Sequence, residues 1–195
     1  MKKEQIERAF HQLGRVMMHF GSSTKWEGFE LGITEEEHHD FNELILKQKH
    51  YNGWFTEDMV RKSLLSLGSL LSEKDLKIWT ANYNFAETPS TVAVIMAGNI
   101  PLVGFHDFLS VLISGHKILV KLSSDDRYLL PRLAKFLSVF EPDLKDRIQF
   151  SEGKISNFDA VIATGSDSSA TYFEQYFSKF PHIFRSNRTS IAVIT

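Results

Sequence analysis

The chain has 195 residues, 43% apolar and 24% charged, with a formal net charge of −2, which fits a soluble protein with one fair-sized core, or one domain plus a substantial appendage. That charge gives no ground for a nucleic-acid or anionic-membrane partner, no run approaches the roughly 20 apolar residues of a membrane span, and the polar start MKKEQIERAF is not a secretory signal. With no cysteine, disulfides, thiolate zinc sites and a cysteine nucleophile are excluded within these residues, and a cytoplasmic location is the default expectation.

Ile6, Phe10, Leu13, Met17 and Phe20 recur at helical spacing and predict an amphipathic first helix. A Gly/Ser-containing connection over 21–33 follows. Thr34 and Glu37 then form a capping box, in which each side chain satisfies the other's free backbone amide, ahead of a stripe of Phe41, Leu44 and Ile45. A third helix is expected from Thr56, with Met59, Val60, Leu64 and Leu67 inward, and a fourth is capped by Ser72 and Asp75 ahead of Leu76 and Trp79. Trp26, Trp54 and Trp79 read as core or interface anchors, and His38-His39-Asp40 as a solvated acidic face, since neighbouring helical residues diverge too far to share a metal.

At Pro89 the texture changes. Apolar strands are predicted at Val92–Ala97, Ile118–Leu122, Ile148–Phe150, Ala160–Ala163 and Ile191–Ile194, with helices near 104–114, 126–139 and 168–179. Strands alternating with helices predict an α/β fold: a helical segment over residues 1–88, then a mostly parallel sheet covered on both faces over 89–195. Phe150 and Phe158 stand too close for a crossover helix, which takes a dozen residues or more. Either one of those two strands lies at the edge in another orientation, or a helix is lost. The chain also stops inside the last predicted strand, which suggests a fragment incomplete at its C-terminus.

Three strand ends carry the chemistry. In Val92-Ala-Val-Ile-Met-Ala-Gly-Asn-Ile-Pro-Leu102 a buried strand runs into a turn that puts Asn99 at the carboxyl edge of the sheet, where open α/β folds place ligands. Its amide there can donate to a developing oxyanion; the plainer reading is a turn or cap residue. Lys121 ends the second strand, followed by Ser123 and Ser124, and can reach a ribose hydroxyl or phosphate or simply meet water. At Thr164-Gly165-Ser166 a strand turns at once into a helix, which suits a pyrophosphate as well as an ordinary cap. His106-Asp107 could touch a ligand, yet an Asp on a first helical turn is favourable for dipole reasons alone.

Taken together, these three strand ends resemble the aldehyde dehydrogenase superfamily, and AGNIPLVGFHD with Gly53-Trp54-Phe55 is similar to bacterial acyl-CoA reductases of the luminescence fatty-acid reductase type. The resemblance implies a partial Rossmann-like sheet and an oxidoreductase that moves an acyl group from coenzyme A to a cysteine and reduces the thioester to a fatty aldehyde. It implies that Asn99 donates to the thioester oxygen, that Lys121 with Ser123 or Ser124 binds the adenosine ribose or its 2′-phosphate, and that Gly165 and Ser166 meet the pyrophosphate. Ser124 stands where NAD-using relatives tend to carry a ribose-gripping glutamate, which favours NADPH over NADH, although Asp125 lies close enough to swing in. Arg188–Thr195 aligns with a base motif of the superfamily and lacks its glutamate, which reduction to an aldehyde tolerates. The catalytic cysteine is expected beyond Thr195, so this chain alone is expected to be inactive, with a homo-oligomer or a missing C-terminal domain as partner. The alternative is a non-catalytic module that binds a dinucleotide or a partner chain.

Overall fold

The computed structural model describes residues 1–186. Four helices open the chain: α1 (Lys3–Gly21), α2 (Glu35–Tyr51), α3 (Glu57–Ser69) and α4 (Glu73–Thr80). The starts of α2, α3 and α4 are those the sequence predicts. Thr34, Thr56 and Ser72 each accept the backbone amide three residues on, and Thr34 and Glu37 complete the capping box. The α1 stripe of Ile6, Phe10, Leu13, Met17 and Phe20 is at most 1% exposed. Where α1 crosses α3 the backbones touch: a Cβ on Gly68 would sit 2.9 Å from the Gly14 carbonyl oxygen, so a side chain there would push the helices apart.

Two side chains of this segment depart from the expected pattern. Met59 points to solvent, because Val60 and Leu64 already fill the inward face of α3. His38 is buried against His19 of α1, their Nε2 atoms 2.9 Å apart, and Phe20 stacks on its ring. The solvated face therefore begins at His39, because the contact with His19 turns His38 inward.

The remaining elements are β1 (Thr91–Ile95), α5 (Phe105–Ile113), β2 (Lys117–Lys121), α6 (Leu129–Phe140), β3 (Ile148–Phe150), β4 (Ala160–Thr164), α7 (Asp167–Phe177) and β5 (His182–Arg185). The five strands form one parallel sheet in the order β3-β2-β1-β4-β5. The central strand, β1, is buried at Val92, Ala93 and Val94, as a strand covered on both faces must be.

The larger core joins both parts of the chain, from Ile6 of α1 through Phe105 and Phe108 of α5 to Leu133 and Phe136 of α6. A smaller cluster of Ala93, Val161, Ala163 and Phe173 occupies the opposite face, with Ile155 and Phe158 packed against it.

The short interval after Phe150 resolves into the second expected alternative. β3 is at the edge, but parallel to β2, and residues 151–159 return to the start of β4 with no helix. A strand at His182–Arg185 was not anticipated, since one inward apolar residue in four gives no alternating signal. The strand predicted at Ile191–Ile194, and the segment Arg188–Thr195, lie outside the described residues.

Candidate active site

All three predicted strand ends reach the carboxyl edge of the sheet, where parallel strands collect their loops. After β1, the amide of Met96 donates to the carbonyl of Lys121, extending the pairing with β2 by one residue. Gly98 is then buried against the β2–α6 loop: a Cβ there would lie 2.5 Å from Ser123 Oγ. Asn99 stands exposed on the rim of an open recess of about 650 Å³, shared with Tyr51, Asn52, Gly53, Trp54 and Asp125. The α2–α3 loop forms the far wall, fastened where Asn52 Oδ1 accepts the amide of Trp54 at 3.0 Å and where Tyr51 and Tyr128 meet at 4.3 Å between ring centres. Trp54 is 84% exposed, so it is a wall of this recess and not a core anchor.

The turn beyond Asn99 is held from below. Leu102 has φ +62°, a left-handed conformation rare for a side chain of this kind. Its amide donates to Asp126 Oδ2 at 2.6 Å, and Asp126 itself is 6% exposed. Burial pushes the Asp126 carboxyl up to about 6, opposed only by that amide. Sequence reasoning missed Asp126 because it follows Asp125 in what reads as a polar loop.

Lys121, at the end of β2, donates to the carbonyls of Glu152 (2.6 Å) and Gly153 (2.8 Å) and so ties down the helix-free crossover. It lines a cavity of about 800 Å³ together with Ile95, Lys154, Phe158, Tyr176, Phe177 and Phe180. Two cations and several aromatic rings face this space, and no carboxylate is among its described lining residues. Ser123 and Ser124 sit one loop away, where Ser123 Oγ accepts the amide of Asp125 at 3.2 Å and Ser124 Oγ lies 3.3 Å from Asp125 Oδ1.

At the third strand end Ser166 caps α7, its Oγ accepting the amide of Ser169. The Gly165 amide donates to the carbonyl of Arg185, at the end of β5. The predicted residues therefore fall into three groups: Asn99 with Ser123 and Ser124 around one pair of loops, Lys121 in the crossover cavity, and Gly165 with Ser166 at the start of α7.

A further cluster lies between β1, β4 and β5. Arg185 Nη1 contacts both carboxylate oxygens of Asp107, at 2.6 and 2.7 Å. The pair borders a recess of about 170 Å³ with His106 and Thr164, whose buried hydroxyl has no partner. The His106-Asp107 motif was the only sequence signal for it; Arg185 was hidden with its unforeseen strand.

A sequence profile described as acyl-CoA reductase (LuxC) matches residues 33–194. No curated protein sequence matches the chain. Among solved structures it is similar to an NAD-dependent benzaldehyde dehydrogenase from Corynebacterium glutamicum (TM-score 0.57, 12% identity), with 96% of this chain and 42% of that one covered. A succinic semialdehyde dehydrogenase from Streptococcus pyogenes in complex with NADP+ aligns with TM-score 0.55 and 12% identity over 93% of this chain and 40% of that one. These likenesses show the aldehyde dehydrogenase fold, and the chain spans less than half the length of either structure.

Proposed function

Because the chain belongs to the acyl-CoA reductase (LuxC) family, we propose that it is the N-terminal, NADPH-binding part of an enzyme that reduces acyl-CoA to an aldehyde. In this reading residues 1–88 are a helical cover and 89–195 the dinucleotide-binding part. The observation that carries the proposal is the pairing of an exposed Asn99 at the end of β1 with a cationic, aromatic-walled cavity at the end of β2.

The cavity fits an adenosine bearing an extra phosphate. Phe158, Tyr176, Phe177 and Phe180 offer rings to a base, and Lys121 and Lys154 offer positive charge with no lining carboxylate to repel the phosphate. NADPH, when bound, supplies the reducing equivalent for the thioester carbon. Lys121 would hold the ribose or its 2′-phosphate and Gly165 with Ser166 would meet the pyrophosphate, whereas Ser123 and Ser124 lie one loop away against Asp125.

The chemical role of this chain centres on Asn99. Its side-chain amide would donate to the acyl oxygen as charge gathers there, and a fixed donor aimed at that oxygen lowers the barrier more than one that must reorient. The thiolate that takes the acyl group must come from outside these cysteine-free residues, so the chain by itself would bind cofactor without turnover.

Titration of this chain with NADPH tests the reading. Saturable binding, weakened by Lys121→Ala, is expected; no binding, or binding indifferent to that change, overturns the site assignment. In the full-length enzyme, Asn99→Ala should lower kcat by about 100-fold or more, as loss of one oxyanion donor does elsewhere.

The absence of cysteine favours one other reading, a non-catalytic dinucleotide- or partner-binding module. A gene that encodes no cysteine after residue 195 would decide for it.

A further inference from the structure

We propose that Asp126 is the positioning residue for Asn99, holding the β1–α5 turn in the form that presents the Asn99 amide to the acyl oxygen. The proposal rests on the oxyanion role given to Asn99 above.

Three observations carry it. First, Leu102, three residues beyond Asn99, adopts φ +62°, a conformation unfavourable for a non-glycine residue that persists only where its surroundings impose it. Its side chain is 2% exposed, so it is anchored in the core while its backbone is twisted. Second, the partner of that twisted amide is the carboxylate of Asp126, at 2.6 Å, on the loop that follows β2. Third, the other oxygen of the same carboxylate, Oδ1, is buried with no hydrogen-bond partner. A buried carboxylate with one oxygen unused is unfavourable for folding, so its presence points to what the used oxygen does.

What it does is join two loops. The turn from Asn99 to Leu102 belongs to the β1 end. Asp126 belongs to the β2 end, where Ser123 packs against Gly98 and the amide of Asp126 reaches back to the carbonyl of Ser123. Below Asn99 the turn continues into α5 through Phe105, whose amide donates to the carbonyl of Leu102 at 2.9 Å. With the Leu102 amide unheld, residues 99–102 can relax towards an ordinary turn and carry the Asn99 amide away from its line of donation. A displacement of about 1 Å at such a group is enough to lower a rate about 100-fold.

The test compares Asp126→Ala and Asp126→Asn in the full-length reductase, with acyl-CoA and NADPH as substrates. Asn keeps an oxygen that can accept the Leu102 amide; Ala does not. Asp126→Ala is expected to lower kcat at least about tenfold, with KM for both substrates within about twofold of wild type. Asp126→Asn is expected to keep kcat within about threefold of wild type. Hydrogen exchange at residues 99–102 should quicken in the alanine variant and not in the asparagine one.

Equal loss in both variants, a change confined to KM, or unaltered kcat in Asp126→Ala overturns the proposal. If Asp126→Ala does not fold, the asparagine variant still decides, because a large kcat loss with normal KM and an undiminished melting temperature contradicts a role met by a hydrogen-bond acceptor. Should Asn99→Ala itself keep full kcat, the oxyanion reading is what fails; loss in Asn99→Ala without loss in Asp126→Ala leaves that reading standing and removes only this one.

Discussion

His19 and His38 meet Nε2 to Nε2 at 2.9 Å between α1 and α2, so one of the two nitrogens must donate and the other accept. The Thr24 hydroxyl lies 3.0 Å from the carbonyl of His19 and 2.7 Å from His19 Nδ1. One imidazole therefore donates to the other across the two helices.

That arrangement predicts an acid-sensitive helical segment. Burial lowers both imidazoles, His38 further through His19 and His39, while Glu27 acts on His19, and the Thr24 backbone and then Glu35 act on His38, in the opposite sense. The folded pair binds protons less readily than the unfolded chain, whose histidines titrate near 6.5. Stability should thus be full above that value and fall as pH drops below it. Thermal melts at pH 7.5 and 5.5 check this: His38→Gln should shrink the loss on acidification, and an unchanged loss would rule the pair out as its source.

Asp126 pulls the other way. Its carboxyl, raised by burial to about 6 from 3.8, is protonated more readily folded than unfolded. Its contribution to stability is greatest below 3.8 and is lost as pH rises through 6. Asp126→Asn should accordingly stabilise the protein by about 3 kcal/mol above pH 7, and the gain should vanish near pH 4, as read from paired denaturation curves. A gain that persists at pH 4 would mean the carboxylate's charge is not the cause.

Gly98 and Ser123 should behave as a coupled pair. A Cβ at Gly98 would meet Ser123 Oγ at 2.5 Å and Ser123 Cβ at 2.6 Å, so Gly98→Ala is expected to cost about 1–3 kcal/mol and weaken NADPH binding through the displaced loop. Adding Ser123→Gly removes the obstruction and should restore much of that stability. A double-mutant cycle measures it, and strict additivity would show that the loops do not press on one another.

The Asp107–Arg185 pair ties α5 to the edge strand. Asp107 is 7% exposed, and Asp107→Ala leaves a partly exposed guanidinium without its partner, at a cost of about 1–3 kcal/mol. Proteolysis should then cut near β5 before other sites. Protection of β5 equal to wild type would assign that edge's stability to backbone pairing alone.

The sequence is most legible where one local rule decides the outcome. Thr34, Thr56 and Ser72 mark helix starts because a cap involves only the next three residues. Val92, Ala93 and Val94 read as a strand because both faces are covered. The strand ends bearing Asn99, Lys121 and Gly165 stand out because turns need particular residues, and family membership of the chain follows from the profile match. The less visible features are agreements between distant residues. His38 is turned inward by its meeting with His19, Asp126 is buried by Leu102 across 24 positions, and β5 is recruited by its pairing with β4. Periodicity records which side of an element is apolar, not which polar side chain is met from the far side of the fold.

The arrangement of the two apolar clusters has a consequence for synthesis on the ribosome. Every fully buried member of the larger cluster lies at or before Leu144, whereas the smaller cluster draws on Val161, Ala163 and Phe173. The nascent chain can therefore consolidate α1 to α6 around β1 and β2 while β4, α7 and β5 are still in the exit tunnel, leaving one flank of β1 open as a template. Emergence of the helix-free crossover then delivers β4 to that flank. A translational pause while residues 160–185 still occupy the tunnel would lengthen the exposure of this unpaired strand, and chaperone capture should peak then.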